Sequence, residues 1–221
     1  MTNSIEIKQA SKAYQRKNQT PVQALDKLDL KAESGDFIAV LGPSGCGKST
    51  LMLSAGGLLE VDSGQVVING QDLSQLSSSQ KAEFRAKNVA YVYQEFHLIP
   101  YLNVIDNVRI ADLALGSGSE QKAEEILKKF GLAERAQHLP SELSVGEQQR
   151  VALSRAIYSG AKIILADEPT GNLDSENAET VLKALKDFTE EGGIVIMVTH
   201  DDRAVAYAAK KLSMSAGQWS A

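Results

Sequence analysis

The run Gly42-Pro43-Ser44-Gly45-Cys46-Gly47-Lys48-Ser49 has the spacing G-x-x-x-x-G-K-[ST] of a phosphate-binding loop. Glycines in such a run let the backbone turn so that successive N–H groups converge on one anion. Lys48 adds a charge for the β- and γ-phosphates, and Ser49 offers a hydroxyl to Mg²⁺. The flanks suit the motif. Phe37-Ile38-Ala39-Val40-Leu41 reads as a buried strand, and Lys48 to Leu59 carries helix formers with an apolar face. A helix starting near Lys48 directs its positive end at the same point. A glycine turn with a chance lysine would not need these flanks, so the segment is read as a site for a nucleoside triphosphate.

Two further segments have the composition for chemistry. Ile163-Ile164-Leu165-Ala166 is a fully apolar strand of the parallel-sheet type and ends in Asp167-Glu168. The carboxyl end of such a strand is where α/β sheets assemble ligand sites. Asp167 suits Mg²⁺, usually through water. Glu168 suits a general base or a water-orienting group beside the γ-phosphate. A solvated acidic turn is the plain alternative for the pair. Leu143-Ser144-Val145-Gly146-Glu147-Gln148-Gln149-Arg150 reads as a helix start, with Ser144 as cap and Glu147 completing a capping box. Its electropositive end and the open backbone expected at Gly146 make a second anion-binding surface. An ordinary capped helix is the plain alternative there.

The elements that must position these groups follow from hydrophobic period. Ile5 and Ile7, then Leu28 and Leu30, mark strands within residues 4–35. Val66-Val67-Ile68 before Asn69-Gly70 is a strand ending in a turn. Val89 to Tyr93 is another strand. From Leu102 to Phe130 the period is helical, with Gly131 as the stop. A long helix starts near Ser144, Ser175 to Glu191 is amphipathic, and Ile194 to Thr199 is a further buried strand. The order predicts a parallel α/β core with a mainly helical insertion at roughly residues 95–150. The Gly116-Ser117-Gly118-Ser119 run reads as a short flexible loop.

Composition narrows the partners. The 221 residues are 43% hydrophobic, enough for a substantial core, and the net charge is −5. That balance gives no electrostatic case for nucleic acid. With one cysteine no internal disulfide forms, and a reducing compartment is expected. The start lacks the blocks of a signal peptide, and no apolar run approaches the ~18 residues of a membrane span. Any membrane role would then run through another protein.

Taken in order, the motifs resemble the ATP-binding subunit of ABC transporters along nearly the whole chain. They are the phosphate loop at 42–49, a Q-loop glutamine at Gln94, the signature at 143–150, the acidic strand end Asp167-Glu168, a D-loop at Asn172-Leu173-Asp174 and a switch histidine at His200. The resemblance implies one ABC ATPase domain over residues 1–221, an α/β P-loop NTPase. Its RecA-like parallel core would span about 1–94 and 151–221, with an N-terminal antiparallel β subdomain and a helical subdomain at about 95–150. It implies ATP and Mg²⁺ as ligands. Nucleotide contact extends over the loop to Thr50, Tyr14 stacks on adenine, and Gln94 senses Mg²⁺ and links the nucleotide to the transport partner. His200 bonds the γ-phosphate. Ser144 and Gly146 bind the γ-phosphate held by an opposite copy, and Asp174 connects the two sites. The chain departs from the family at Val145, where a glycine is usual; a β-branched residue there is bulkier and stiffer.

The segments 95–104 and 171–174 resemble the lipoprotein-releasing and macrolide-exporter branch, which also includes ATPases that signal across the membrane. The expected function is ATP hydrolysis by a homodimer that drives integral membrane permease subunits from the cytoplasmic face. The alternative is a regulatory ATPase that drives a periplasmic or cell-wall partner without transport. Long coiled-coil insertions, tandem domains and a guanine-specifying Asn-Lys-x-Asp are all lacking, which argues against repair, translation and GTPase readings. Phe96, Leu98, Ile99, Pro100 and Tyr101 are expected either to fill the helical subdomain or to form a docking patch. Cys46 is expected either as an inert filler or as a thiolate covered by bound Mg-ATP.

Overall fold

Alternating segments, interrupted by bulges, and continuously apolar segments build two different sheets. A computed structural model describes residues 3–15, 20–116 and 118–220, so Ser117 of the predicted loop lies outside the described residues. Strand β1 (Ser4–Tyr14) and β2 (Val22–Glu33) alternate and bury one face, including Ile5, Ile7, Leu28 and Leu30. After β3 (Phe37–Leu41) come α1 (Lys48–Ala55), β4 (Ser63–Ile68) and β5 (Gln71–Asp72). Asn69 and Gly70 both have positive φ between β4 and β5, the turn that Asn-Gly favours. The next elements are α2 (Ser78–Asn88), β6 (Val89–Val92), α3 (Val104–Arg109), α4 (Asp112–Leu115), α5 (Glu120–Lys129) and α6 (Val145–Tyr158). The chain ends with β7 (Ile163–Asp167), α7 (Ser175–Glu190), β8 (Ile194–Val198), α8 (Asp202–Tyr207), β9 (Lys210–Ser215) and β10 (Gln218–Ser220).

The antiparallel sheet has the order β2-β1-β4-β5. The other sheet has the order β10-β9-β3-β8-β7-β6 and is parallel except for β10. Its strands divide the core. Phe37 and Ala39 of β3 face α3, α5, α6 and α7, while Ile38 and Val40 face α1 and the antiparallel sheet. The phosphate-loop helix and the signature helix therefore pack on opposite faces of one sheet.

Several boundaries differ from the sequence reading. Helix α1 stops at Ala55, because Gly56 and Gly57 end it before Leu59. The helical stretch Leu102–Phe130 is three short helices. It breaks at Ile110 and Ala111 and again at Gly116, which closes α4 with φ 69°. Gly131, with φ 68°, follows α5 as expected. Helix α2 and the β9–β10 hairpin carry little apolar period. The cap of α2 has a local signal nonetheless, since Ser77 and Gln80 form a reciprocal box.

The aperiodic segment after Gln94 is a loop organised by one buried amide. Asn107 is fully buried; its Oδ1 accepts from the Ile99 N–H at 2.7 Å, and its Nδ2 donates to the carbonyls of Ile99, Leu102 and Asn103. Leu98 packs against the helical core, whereas Tyr101 is 78% exposed.

Candidate active site

The phosphate loop leaves the carboxyl end of β3 and enters α1. Gly47 is the N-cap of α1, with φ 112°, and supplies no side chain; the first turn holds no acidic residue. The first amides of α1 are thus left to an external anion. Two glycines are required by close approach. A β-carbon on Gly42 would strike the Met214 carbonyl and Cys46 Sγ, and one on Gly47 would strike the Ala24 carbonyl. The Lys48 ammonium folds back over the loop, donating to the Gly42 carbonyl at 2.7 Å and the Pro43 carbonyl at 2.9 Å. Pro43, Ser44, Gly45 and Ser49 are at least partly exposed along this cradle. Of the two readings of Cys46, burial supports the filler: its backbone belongs to the loop, but its side chain is 5% exposed and packs in the apolar core with Met214. The adjacent residues Thr50 and Tyr14 meet through their hydroxyls at 3.5 Å, which brings a 40%-exposed tyrosine to the rim of the loop.

The acidic pair stands at the carboxyl end of β7, two strands from the loop. Burial raises the Asp167 pKa above the ordinary carboxylate value, Glu168 adds to the rise, and Lys48 opposes it. Glu168 has φ 47°, a left-handed backbone that a non-glycine residue adopts at about 1 kcal/mol. Its N–H donates to the Val198 carbonyl at 2.9 Å, which fixes the turn against β8. The same strand delivers His200, whose Nδ1 lies 2.7 Å from Glu168 Oε1. This hydrogen bond, and then the carboxylate's charge, raise the His200 pKa. The imidazole is 76% exposed. Gln94 is exposed beyond β6, where Asn172 Nδ2 donates to its carbonyl at 3.4 Å; Arg155 holds the following turn through the Phe96 and His97 carbonyls. A hydroxyl, a carboxylate and an amide oxygen from Ser49, Asp167 and Gln94 are hard donors, too few to enclose a cation alone. That set fits Mg²⁺, which keeps waters and shares phosphate oxygens.

The signature start matches its predicted cap. Ser144 Oγ accepts from the Glu147 N–H at 3.3 Å, and Glu147 Oε2 accepts from the Ser144 N–H at 2.8 Å. Arg135 lies 3.0 Å from Glu147 Oε1 and neutralises it. The Glu147 pKa is lowered, first by the Ser144 N–H. The box leaves the Ser144 hydroxyl proton and the Val145 and Gly146 N–H groups for an anion. Val145 points outward and is 46% exposed, so its bulk faces solvent rather than its own core. Gly146 departs from expectation: it is buried, and the space beside its α-carbon is filled by the side chain of Asn177. Asp174 caps α7 by accepting from the Asn177 N–H at 2.8 Å.

Sequence reasoning missed Asn177, and it missed Gln149. The latter is fully buried on α6 and donates to the Pro169 carbonyl at 2.7 Å, tying the signature helix to the turn after Glu168. A glutamine one position from the apolar stripe gave no signal for that. A separate cavity of 330 Å³, lined by residues including Ser54, Leu73 and Arg85, takes no residue from the phosphate loop. The nucleotide site is an open cradle of backbone rather than an enclosed hollow.

Known proteins match this arrangement. The ABC transporter family covers residues 25–171. An uncharacterized ABC transporter ATP-binding protein, MJ1508, of Methanocaldococcus jannaschii is 40% identical over 97% of this chain and 96% of its own length. The macrolide export ATP-binding/permease protein MacB of Mannheimia succiniciproducens is 39% identical over 98% of this chain. The chain spans only about a third, 34%, of that relative. The ATP-binding cassette MJ0796, solved as a dimer in a post-hydrolysis state with ADP and Pi, superposes with a TM-score of 0.91 at 32% identity, over 98% of this chain and 97% of that one. The phosphate cradle, the acidic strand end with its histidine and the capped signature helix are thus held on a shared fold: the chain belongs to the ABC transporter ATP-binding family and is an ATP-hydrolysing cassette.

Proposed function

We propose that two copies close head-to-tail around two Mg-ATP molecules, each site combining the phosphate loop of one copy with the signature of the other. The observation that carries this is the separation of α1 and α6 on opposite faces of the same sheet. One chain offers two anion surfaces facing different ways, and a second copy lets both meet one triphosphate. The dimeric state of the similar cassette supports the same reading. Lys48 and the loop amides hold the phosphates, Tyr14 stacks on adenine, and Ser49, Asp167 and Gln94 hold Mg²⁺, which neutralises phosphate charge. Glu168 orients and deprotonates the attacking water, and His200 supports both Glu168 and the γ-phosphate. Asp174 reaches toward the second site.

Closure drives membrane-spanning permease subunits of the exporter kind, with the chain held at the membrane's inner face through them. MacB relatives, named as joint ATP-binding and permease proteins, support this. Among the described residues no helix is long and apolar enough to cross a membrane. Tyr101 is an exposed aromatic in the loop after Gln94 and suits the docking surface. The test is gentle detergent purification of the tagged chain with native Tyr101 and with Tyr101→Ala. A membrane permease should co-purify with the native chain and be depleted with the variant, at equal melting temperature and ATP affinity. Retention of the permease by Tyr101→Ala removes that residue from the interface, and absence of any membrane protein overturns the transport reading.

A further inference from the structure

Asn177 bonds in three directions at the start of α7. Its backbone N–H donates to Asp174 Oδ1 at 2.8 Å, and its Nδ2 donates to both Asp174 oxygens at 2.9 Å. Its Oδ1 accepts from Arg150 Nη1 on α6. Its side chain also occupies the space beside Gly146, where a β-carbon would collide with Cγ, Oδ1 and Nδ2. The carboxylate responds to this setting: the Asp174 pKa is lowered, first by the Asn177 N–H, then by its side chain, with a smaller part from Arg150. Among the described residues Arg150 Nε is buried without a partner, so the guanidinium is held mainly through Nη1 on Asn177. Asparagine is the smallest side chain that offers two donors to a carboxylate and an acceptor to a guanidinium at once. A β-carbon at position 146 would therefore have to displace the Asn177 amide from its bonds to Asp174 and Arg150.

We propose that Asn177 is a positioning residue for ATP turnover, locking the signature start at Ser144–Gly146 and the Asp174 turn of the same chain into one rigid unit. The inference rests on the head-to-tail reading above, in which both surfaces face the second copy. Locked together, they arrive at the two nucleotide sites in register. Unlocked, each surface still forms, but closure orders them separately.

The experiment uses the full chain with Asn177→Ala and Asn177→Asp. The aspartate is matched in volume but sets a carboxylate against Asp174 and loses both donors. Expected results are a Mg-ATP affinity of the monomer within about twofold of the parent and a kcat lowered about tenfold in both variants. ATP-driven dimerisation in the Glu168→Gln background should weaken by a similar factor. Gly146→Ala alone should lower kcat through the clash, and Gly146→Ala with Asn177→Ala should recover part of it by admitting the methyl. Unchanged kcat and dimerisation in both Asn177 variants overturn the proposal. So does a joint fall of ATP affinity, kcat and melting temperature, which would mark a structural role only. A Glu168→Gln chain that stays monomeric with Mg-ATP and native Asn177 overturns the head-to-tail reading instead.

Discussion

Helices α1 and α6 present their N-termini to anions by opposite means. Helix α1 begins at Gly47 with no capping side chain and no acid in its first turn, so its amides are satisfied only from outside. Helix α6 begins inside its own box, with Ser144 and Glu147 satisfying each other's N–H groups. The first offers an anion its open amides, glycine clearance and one lysine. The second keeps its own shape and has only a hydroxyl proton and two amides to give. A terminus that leaves its donors open binds a phosphate by itself. Under the proposed head-to-tail arrangement, a terminus that caps itself adds its few remaining donors to a phosphate held by the other copy.

The largest expected effect lies with neither helix but with the strand end between them. Glu168→Gln should keep Mg-ATP binding and lower turnover by roughly 10²–10⁴-fold. A single-turnover assay checks it, and turnover above about a tenth of the parent's removes Glu168 from the chemistry. The next tests α1. Lys48→Ala removes the one side-chain cation of the loop and should weaken ATP binding to the monomer by roughly 10- to 100-fold, as the loss of a charged hydrogen bond does. Equilibrium binding with a fluorescent ATP would break the comparison if affinity held.

Ser144→Ala tests α6. It should destabilise the fold by about 1 kcal/mol through the lost cap while leaving the monomer's ATP affinity intact. If that variant instead lost affinity as Lys48→Ala does, the two termini would not differ as argued. The smallest effect belongs to His200. Its pKa is raised by Glu168, so the protonated form is the one the fold stabilises. The contribution is present below histidine's ordinary value of about 6.5 and lost as pH rises through the higher folded value. The ring's exposure keeps the stability change small. Titration by NMR should therefore give a pKa above the ordinary value, falling back in Glu168→Gln; an ordinary value in the native chain would detach His200 from Glu168.

Much of this site is legible in the amino-acid sequence. Gly42 to Ser49 signal their loop locally, because glycine's backbone freedom, the lysine charge and the following helix formers lie within one short run, although the clearance Gly42 and Gly47 need is set by the distant Met214 and Ala24 carbonyls. The Ser144–Glu147 box and the apolar strands at 163–166 and 194–198 are equally local signals. What composition and spacing leave open is direction. Between the two readings of Cys46, burial supports the inert filler, because a loop's backbone and a side chain within it face different ways and the sulfur turns into the core. The opening expected beside Gly146 is filled by a residue thirty-one positions on, Asn177, which no period links to it. Tyr101 and Leu98 sit three residues apart in an aperiodic run, and only the loop held by Asn107 sends one outward and the other into the core. Local propensity sets the elements and their caps through short-range sterics and hydrogen bonds. The pairing of α1 and α6 across one sheet depends on the strand order β9-β3-β8-β7, a set of long-range contacts decided by burial of both sheet faces at once.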